Sequence, residues 1–526
     1  MSVAHNPVVR GFAPDPSIVR VGEWYYLAVS SFEWFPTIPL YRSHDLAAWE
    51  PVGNVSTAVP AGSLFGVPDS AGIWAPSLSY DGNKFWVTYS IVRTFHGRQL
   101  DVETFIATAA DPGAEWSAPV RVSGHGFDPA LFHHNGSHYL LNVQSDSRPG
   151  GSRFSGILLV RLNDEGTATV GQPRLLLQHP SLVEGPKLTY RDGWYYLVLA
   201  QGGTGVEHGA LVARSRNLTG PFDLDDRPLL TSRDDRSLRL QKAGHAELIQ
   251  TPNDHWYLSH LASRWLDTAQ GRQFPWGREV AIQEISWVDG WPRLAHGGWH
   301  PRDTFETPQA LVRSPRQQPV DDGAAPLFGW PWRSLREPVG DWAEPGSRVG
   351  AVRLRGRHGV ESRFGVSLLA KPLEARRCSV ETIVRADPAT FTQSAGLALW
   401  YDSRSYYLLE TTWVEPGGEA QAGQQWRQEG QVVVQLVARD RGEARVVARQ
   451  SVTPGMPLRL TADVDGPTVR LAVDGVQIGP SLDLGILSDD YGDLLRFTGS
   501  MAGIFCVDTV DASFIAEFED LRIDAA

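Results

Sequence analysis

The chain has 526 residues, beyond the size at which a single hydrophobic core keeps growing, so two domains are expected. Its 60 acidic and 48 basic side chains give a formal charge of -12, spread along the sequence. That balance disfavours nucleic acid and other polyanionic partners and suits a neutral substrate. No stretch approaches the roughly 18 apolar residues of a membrane span, and the amino terminus shows neither a basic nor an apolar region, so a cytoplasmic protein without a membrane partner is expected. Cys378 and Cys506 are too few for a disulfide framework or a metal motif, and buried thiols are the default.

An aromatic-rich strand recurs five times along the first 300 residues, starting at positions 23, 84, 137, 193 and 255 (EWYYLAVSS, KFWVTYSIV, SHYLLNVQS, GWYYLVLAQ, HWYLSHLAS). The starts lie 61, 53, 56 and 62 residues apart. Each is preceded by a second short strand: DPSIVR at Asp15, APSLSY at Ala75, DPALFH at Asp128, GPKLTY at Gly185 and HAELIQ at His245. Such short strands are not stable as isolated hairpins, so the units must pack on one another, and a period of 50 to 60 residues with three or four strands is that of propeller blades. A sandwich with accidental likeness between hairpins is the competing reading, and the even spacing argues against it.

The chain therefore reads as all-β, with a five-bladed β-propeller over residues 1–310. Residues 311–348 lose the alternation and gain Pro, which suggests a linker packed on the propeller. From 349 to 526, nine alternating segments from VRLRGR to FIAEFEDLRI read as a β-sandwich.

In a propeller the first strand of every blade lines the axis, so equivalent positions of the repeat converge on one pocket. The converging set is Asp15, Trp74 with Ala75, Asp128, Glu184 with Gly185, and His245. Three carboxylates aimed at one small space repel one another and are partly desolvated, which raises the pKa of at least one. Inverting glycoside hydrolysis needs such a split: one carboxylic acid for the leaving oxygen and one carboxylate for the water. A third carboxylate beside the acid keeps it protonated, and Asp15, Asp128 and Glu184 would divide these roles. His245 reads equally as a core histidine or a substrate ligand, with a ligand of a channel cation as a third reading. Phe32 and Trp74 are either blade filler or an apolar wall for a sugar face, and the wall is preferred.

At these residues the chain resembles glycoside hydrolase family 43, in particular its β-xylosidases with an appended C-terminal sandwich. The likeness rests on NPVVRGFAPDPSIVRVGEWYYLAVSSFEWFPTIPLYRSHDLAAWE and, in order, IWAPSLSY, GFDPALF, VEGPKL, QKAGHAEL, GREVAIQEISWVDGWPRL and LSDDYGDLLRFTG. It implies a concanavalin-like sandwich, with Asp15 as general base, Glu184 as general acid and Asp128 as the residue that tunes and orients the acid. It further implies Phe32 and Trp74 as walls of the sugar subsite, Arg278 as a donor to sugar hydroxyls, His245 in the pocket floor, and Phe497 as a loop residue narrowing the mouth. The expected reaction is release of terminal β-1,4-linked xylose from xylo-oligosaccharides with inversion. An α-L-arabinofuranosidase or bifunctional enzyme is the alternative, and a non-catalytic sugar-binding propeller a remote one. No cofactor is expected to be required, a channel cation such as calcium near His245 is left open, and so is a homo-oligomer. Thr37, the segment Gln273 to Trp276 (QFPW) and Met501 depart from the family's pattern, and they bear on the choice of sugar.

Overall fold

Five antiparallel sheets, four of them four-stranded and one five-stranded, follow one another along the chain in the computed structural model, which describes residues 2–122, 124–308, 331–415 and 430–525. Blade one pairs Ser17–Val21, Trp24–Ala28, Pro39–Ser43 and Glu50–Asn54 in that order. The inner strands of blades two to five are Gly72–Tyr80, Ala130–His134, Val183–Arg191 and Leu240–Gln250. Each pairs with the aromatic-rich strand that the repeat announces: Phe85–Thr94, Ser137–Val143, Trp194–Gln201 and Trp256–Arg264. Blade four gains a further short strand, Leu230–Thr231, beside Gly209–Ser215.

The aromatic strands are buried because they are the middle of each blade, with a neighbouring sheet on both faces. Leu197 and Leu199 of blade four pack with Leu141 and Val143 of blade three, whereas Tyr196 and Val198, on the opposite face, pack with Leu258 and Ala281 of blade five. The ring of blades closes through its first residues. Val3–His5 pairs with Thr304–Glu306, and the Asn6 amide donates to the carbonyls of Ile282 at 2.8 Å and Arg302 at 3.0 Å. The amino-terminal strand thereby joins blade five to blade one.

The chain divides into two compact units. The first runs from Met1 to Trp265 and resumes at Arg278; the second takes Leu266–Gly277 and the remainder of the chain to Ala526. In the second unit, one sheet orders Glu443–Ser451, Gln431–Asp440, Ser405–Val414, Gln393–Asp402, Met501–Asp508, Ser367–Pro372 and Arg333–Leu335. The other orders Ala343–Pro345, Val352–Arg355, Ile515–Ala525, Arg377–Arg385, Leu458–Asp465, Thr468–Val473 and Val476–Gln477. Leu397, Leu409 and Leu436 of the first meet Val380, Leu460 and Val464 of the second in one core. Cys378 and Cys506 are both free and buried.

Two boundaries differ from the sequence reading. Residues 311–330 of the expected linker lie outside the described residues, but Arg333–Leu335 and Ala343–Pro345 are already strands of the sandwich, so its pairing begins before residue 349. Leu266–Gly277, expected within the propeller, belongs to the second unit because Leu266 and Trp276 are part of its core. The Trp276 indole donates to the Ala375 carbonyl at 3.1 Å, and the Phe274 amide donates to Ser488 Oγ at 2.8 Å. The unusual QFPW segment is thus a core piece of the sandwich.

Candidate active site

The pocket is built from one local irregularity used four times. Asp15, Asp128, Gly185 and His245, the first residues of the repeated motif in blades one, three, four and five, have φ of 55, 49, 57 and 47°. A side-chain-bearing residue in this region costs about 1–2 kcal/mol, and Asp and His are among the residue types that tolerate it. The recurrence of the same strained conformation at one level of the propeller indicates that the bend, not the individual residue, is what the fold needs there. At the same end, by antiparallel pairing, lie the loops joining second to third strands, which carry Phe32 in blade one and His208 in blade four.

Asp15 is buried and held by two donors. Ser30 Oγ donates to its Oδ2 at 2.7 Å, and Arg278 Nη1 donates to its Oδ1 at 2.7 Å. Burial pushes the Asp15 pKa up, but Arg278, His245 and the Ser30 hydroxyl overcome that push and hold it below the usual carboxylate range. His245 Nδ1 lies 3.7 Å from Asp15 Oδ1, and burial drives the imidazole pKa down to about 4, so the ring is neutral near pH 7.

Asp128 and Glu184 have the opposite bias. Asp128 Oδ2 accepts the Gly185 N–H at 3.0 Å, which joins blade three to the residue beside Glu184. Burial, then the charges of Glu184 and Asp15, raise Asp128 well above the usual aspartate range. Burial and Asp15 raise Glu184 to about 7. The two carboxyls titrate as a pair that keeps a proton where Asp15 has lost its own. Gly185 is required for this approach: a Cβ there would come 3.0 Å from His245 Cε1, and its φ is positive.

The aromatic side of the pocket links blades one, two and three. Phe32 exchanges two backbone hydrogen bonds of 3.0 Å with Ile73, and its ring centroid lies 6.0 Å from Phe12 and 6.4 Å from Trp74. Trp74 meets Phe127, the neighbour of Asp128, edge-on at 5.9 Å, and its indole donates to Ser70 O at 2.9 Å. The Arg278 guanidinium lies 5.5 Å from the Phe32 ring centroid. Seven of the eight predicted residues thus belong to the propeller, and the structure links them through these contacts. Phe497 belongs to the second unit, where it is buried beside Arg496, itself paired with Asp402 at 2.9 Å.

Sequence reasoning anticipated Arg278 but not its bond to Asp15, and it missed the groups behind it. Glu279 is buried, pairs with Arg264 at 2.7 and 2.8 Å and accepts the Gly11 N–H at 2.7 Å, which fixes the strand start that presents Arg278. His208 is buried, with its ring packed so closely on Gly244 that a Cβ there would come 2.3 Å from Cδ2. Burial and the neighbouring His245 and Arg278 lower His208 to about 3. Ser30 lies inside an aromatic repeat, where it reads as strand filler. Among the described residues, no group of three or more His, Cys, Asp or Glu side chains has the arrangement of a metal site.

One ionised carboxylate facing a proton-holding pair, in a propeller channel with an aromatic wall, defines an acid–base glycoside hydrolase. Comparison with known proteins agrees. Residues 4–292 match Glycosyl hydrolases family 43, and residues 321–524 match the Beta xylosidase C-terminal Concanavalin A-like domain. The chain is 34% identical to a Xylan 1,3-beta-xylosidase of a Vibrio species over 98% of both chains. It is 34% identical to Xylosidase/arabinosidase 43B of Humicola insolens over 99% of this chain and 97% of that one. The crystal structure of a xylan beta-1,4-xylosidase from Bacillus halodurans C-125 superposes with a TM-score of 0.92 at 34% identity, covering 99% of this chain and all of the other. The chain belongs to glycoside hydrolase family 43.

Proposed function

We propose that this enzyme releases terminal β-linked xylose from the non-reducing end of β-1,4-xylo-oligosaccharides with inversion of configuration. The observation that carries the reading is the opposed bias of the carboxylates: Asp15 below the usual range, Asp128 and Glu184 above it. Asp15 takes a proton from water as that water attacks the anomeric carbon, while Glu184 gives its proton to the departing glycosidic oxygen. Asp128, bonded to the Gly185 amide, orients Glu184 and holds the pair's proton between turnovers. Phe32 and Trp74 supply the face on which the sugar rests, His245 a neutral floor, and Arg278 a donor for sugar hydroxyls in addition to its bond to Asp15.

Arabinofuranoside cleavage is the second reading, favoured by the relative named xylosidase/arabinosidase, and the Vibrio relative's name raises the 1,3-linkage. Parallel assays of aryl β-xyloside, aryl α-L-arabinofuranoside and both xylobioses separate these. Faster turnover of aryl xyloside and 1,4-xylobiose, with α-xylose as the first product seen by NMR, is expected. Negligible xyloside turnover or β-xylose as the first product would contradict the reading.

A further inference from the structure

The repeat places a second set of residues one step deeper in the channel than the carboxylates. The third residues of its five motifs are Ser17, Ser77, Ala130, Lys187 and Glu247. Only two of these are charged, with opposite signs, and Lys187 is one of four lysines in the chain. In blade four, three steps from Glu184 to Lys187 oppose two on the partner strand, Ala200 to Val198. The extra residue of this bulge reverses the alternation of a plain strand and puts Glu184 and Lys187 on the same side.

Lys187 is buried and tied across the channel. Its ammonium donates to Ser17 Oγ of blade one at 3.0 Å and lies 3.5 Å from Glu247 Oε2 of blade five. Ser17 Oγ in turn donates to Glu247 Oε2 at 2.9 Å and accepts the Leu78 N–H of blade two at 2.9 Å. Glu247 Oε2 also accepts the Ile18 N–H at 2.9 Å. Four blades are thus joined through one buried cation. The groups that face it are Glu247 and His245 from blade five, Asp15 from blade one and Asp128 from blade three. Burial pulls the lysine pKa down, and Glu247, Asp128 and Asp15 oppose that pull.

We propose that Lys187 is the resident cation of the propeller axis, a positioning residue whose charge, balanced by Glu247, fixes how tightly the carboxylates above it hold their protons. The inference rests on the carboxylate roles assigned above, not on the identity of the sugar. Lys187 lowers the cost of ionising Asp15 and Asp128; Glu247 offsets part of that effect.

The test is the pH dependence of kcat/KM for Lys187→Met, Glu247→Gln and the double variant on whichever aryl glycoside the enzyme turns over faster. Lys187→Met is expected to move both limbs of the profile to higher pH by about one unit, the order of effect of one buried charge. Glu247→Gln, nearly isosteric and still able to accept from Ser17 and Ile18, is expected to move both limbs down. The double variant should return close to wild type. Limbs that stay in place in both single variants, or that move in the same direction, would overturn the inference. Should Lys187→Met not fold, the downward shift in Glu247→Gln decides alone. A wild-type profile without two limbs would instead fault the carboxylate roles.

Discussion

The two sides of the channel treat the same functional group in opposite ways. On the side of blades one and five, Asp15 is buried yet held ionised by Arg278, Ser30 and His245. On the side of blades three and four, Asp128 and Glu184 are also buried, and both are raised, Asp128 by burial and the charges of Glu184 and Asp15, Glu184 by burial and the charge of Asp15, which the pull of Arg278 does not offset. Burial alone would raise all three. What separates base from acid is therefore the supply of positive donors, and one guanidinium 263 residues from Asp15 in sequence provides the largest share.

Removing each side's function gives the largest expected effect. Asp15→Asn should lower kcat by about 10³–10⁴-fold on every substrate, since it removes the base whatever the leaving group. Glu184→Gln should lower turnover of xylobiose by a similar factor but that of a dinitrophenyl xyloside far less, because a good leaving group departs without a proton. Equal losses across a series of leaving groups in both variants would contradict the assignment. The same Glu184→Gln should raise the thermal midpoint above pH 7. The wild-type carboxyl has its pKa raised from 4.5 to about 7 in the fold, so its favourable contribution is present at low pH and is lost as pH rises through that interval.

A smaller change follows from erasing the asymmetry itself. Arg278→Met leaves Asp15 under the influence of burial, so the acid limb of kcat/KM should rise by about one to two pH units. The stability that Asp15 contributes above the ordinary aspartate pKa should shrink with it, since a group held down in the fold stabilises at high pH and loses that contribution as pH falls. An unmoved acid limb, measured with the same aryl substrate, would show that Asp15 does not depend on this arginine.

Much of the contrast was legible in the sequence because a propeller converts repeat phase into spatial convergence. Asp15, Asp128 and His245 stand at one position of the motif, Glu184 immediately precedes it, and the structure finds Asp15, Asp128 and His245 in the left-handed conformation. Arg278 was anticipated only through family likeness, because it lies outside the repeated motif and its bond to Asp15 spans the ring closure. Ser30, and the bond from the Gly185 N–H to Asp128, escaped for a different reason: a hydroxyl within an aromatic strand and a backbone N–H carry no pattern. In the sandwich, Glu443–Ser451 was not anticipated because it is an exposed edge strand, whose charged residues blunt the alternation. Ser367–Pro372 was missed as a nearly continuous buried run ending in proline, without a polar face to mark its period.

The most direct measurement is a carbon-13 NMR titration of the carboxyl groups in the resting enzyme, assigned with Asp15→Asn, Asp128→Asn and Glu184→Gln. The expected result is an Asp15 signal that is that of a carboxylate from pH 5 to 8, a Glu184 signal that moves near pH 7, and an Asp128 signal that moves well above the ordinary aspartate range. Three carboxyls titrating together between pH 4 and 5 would contradict it.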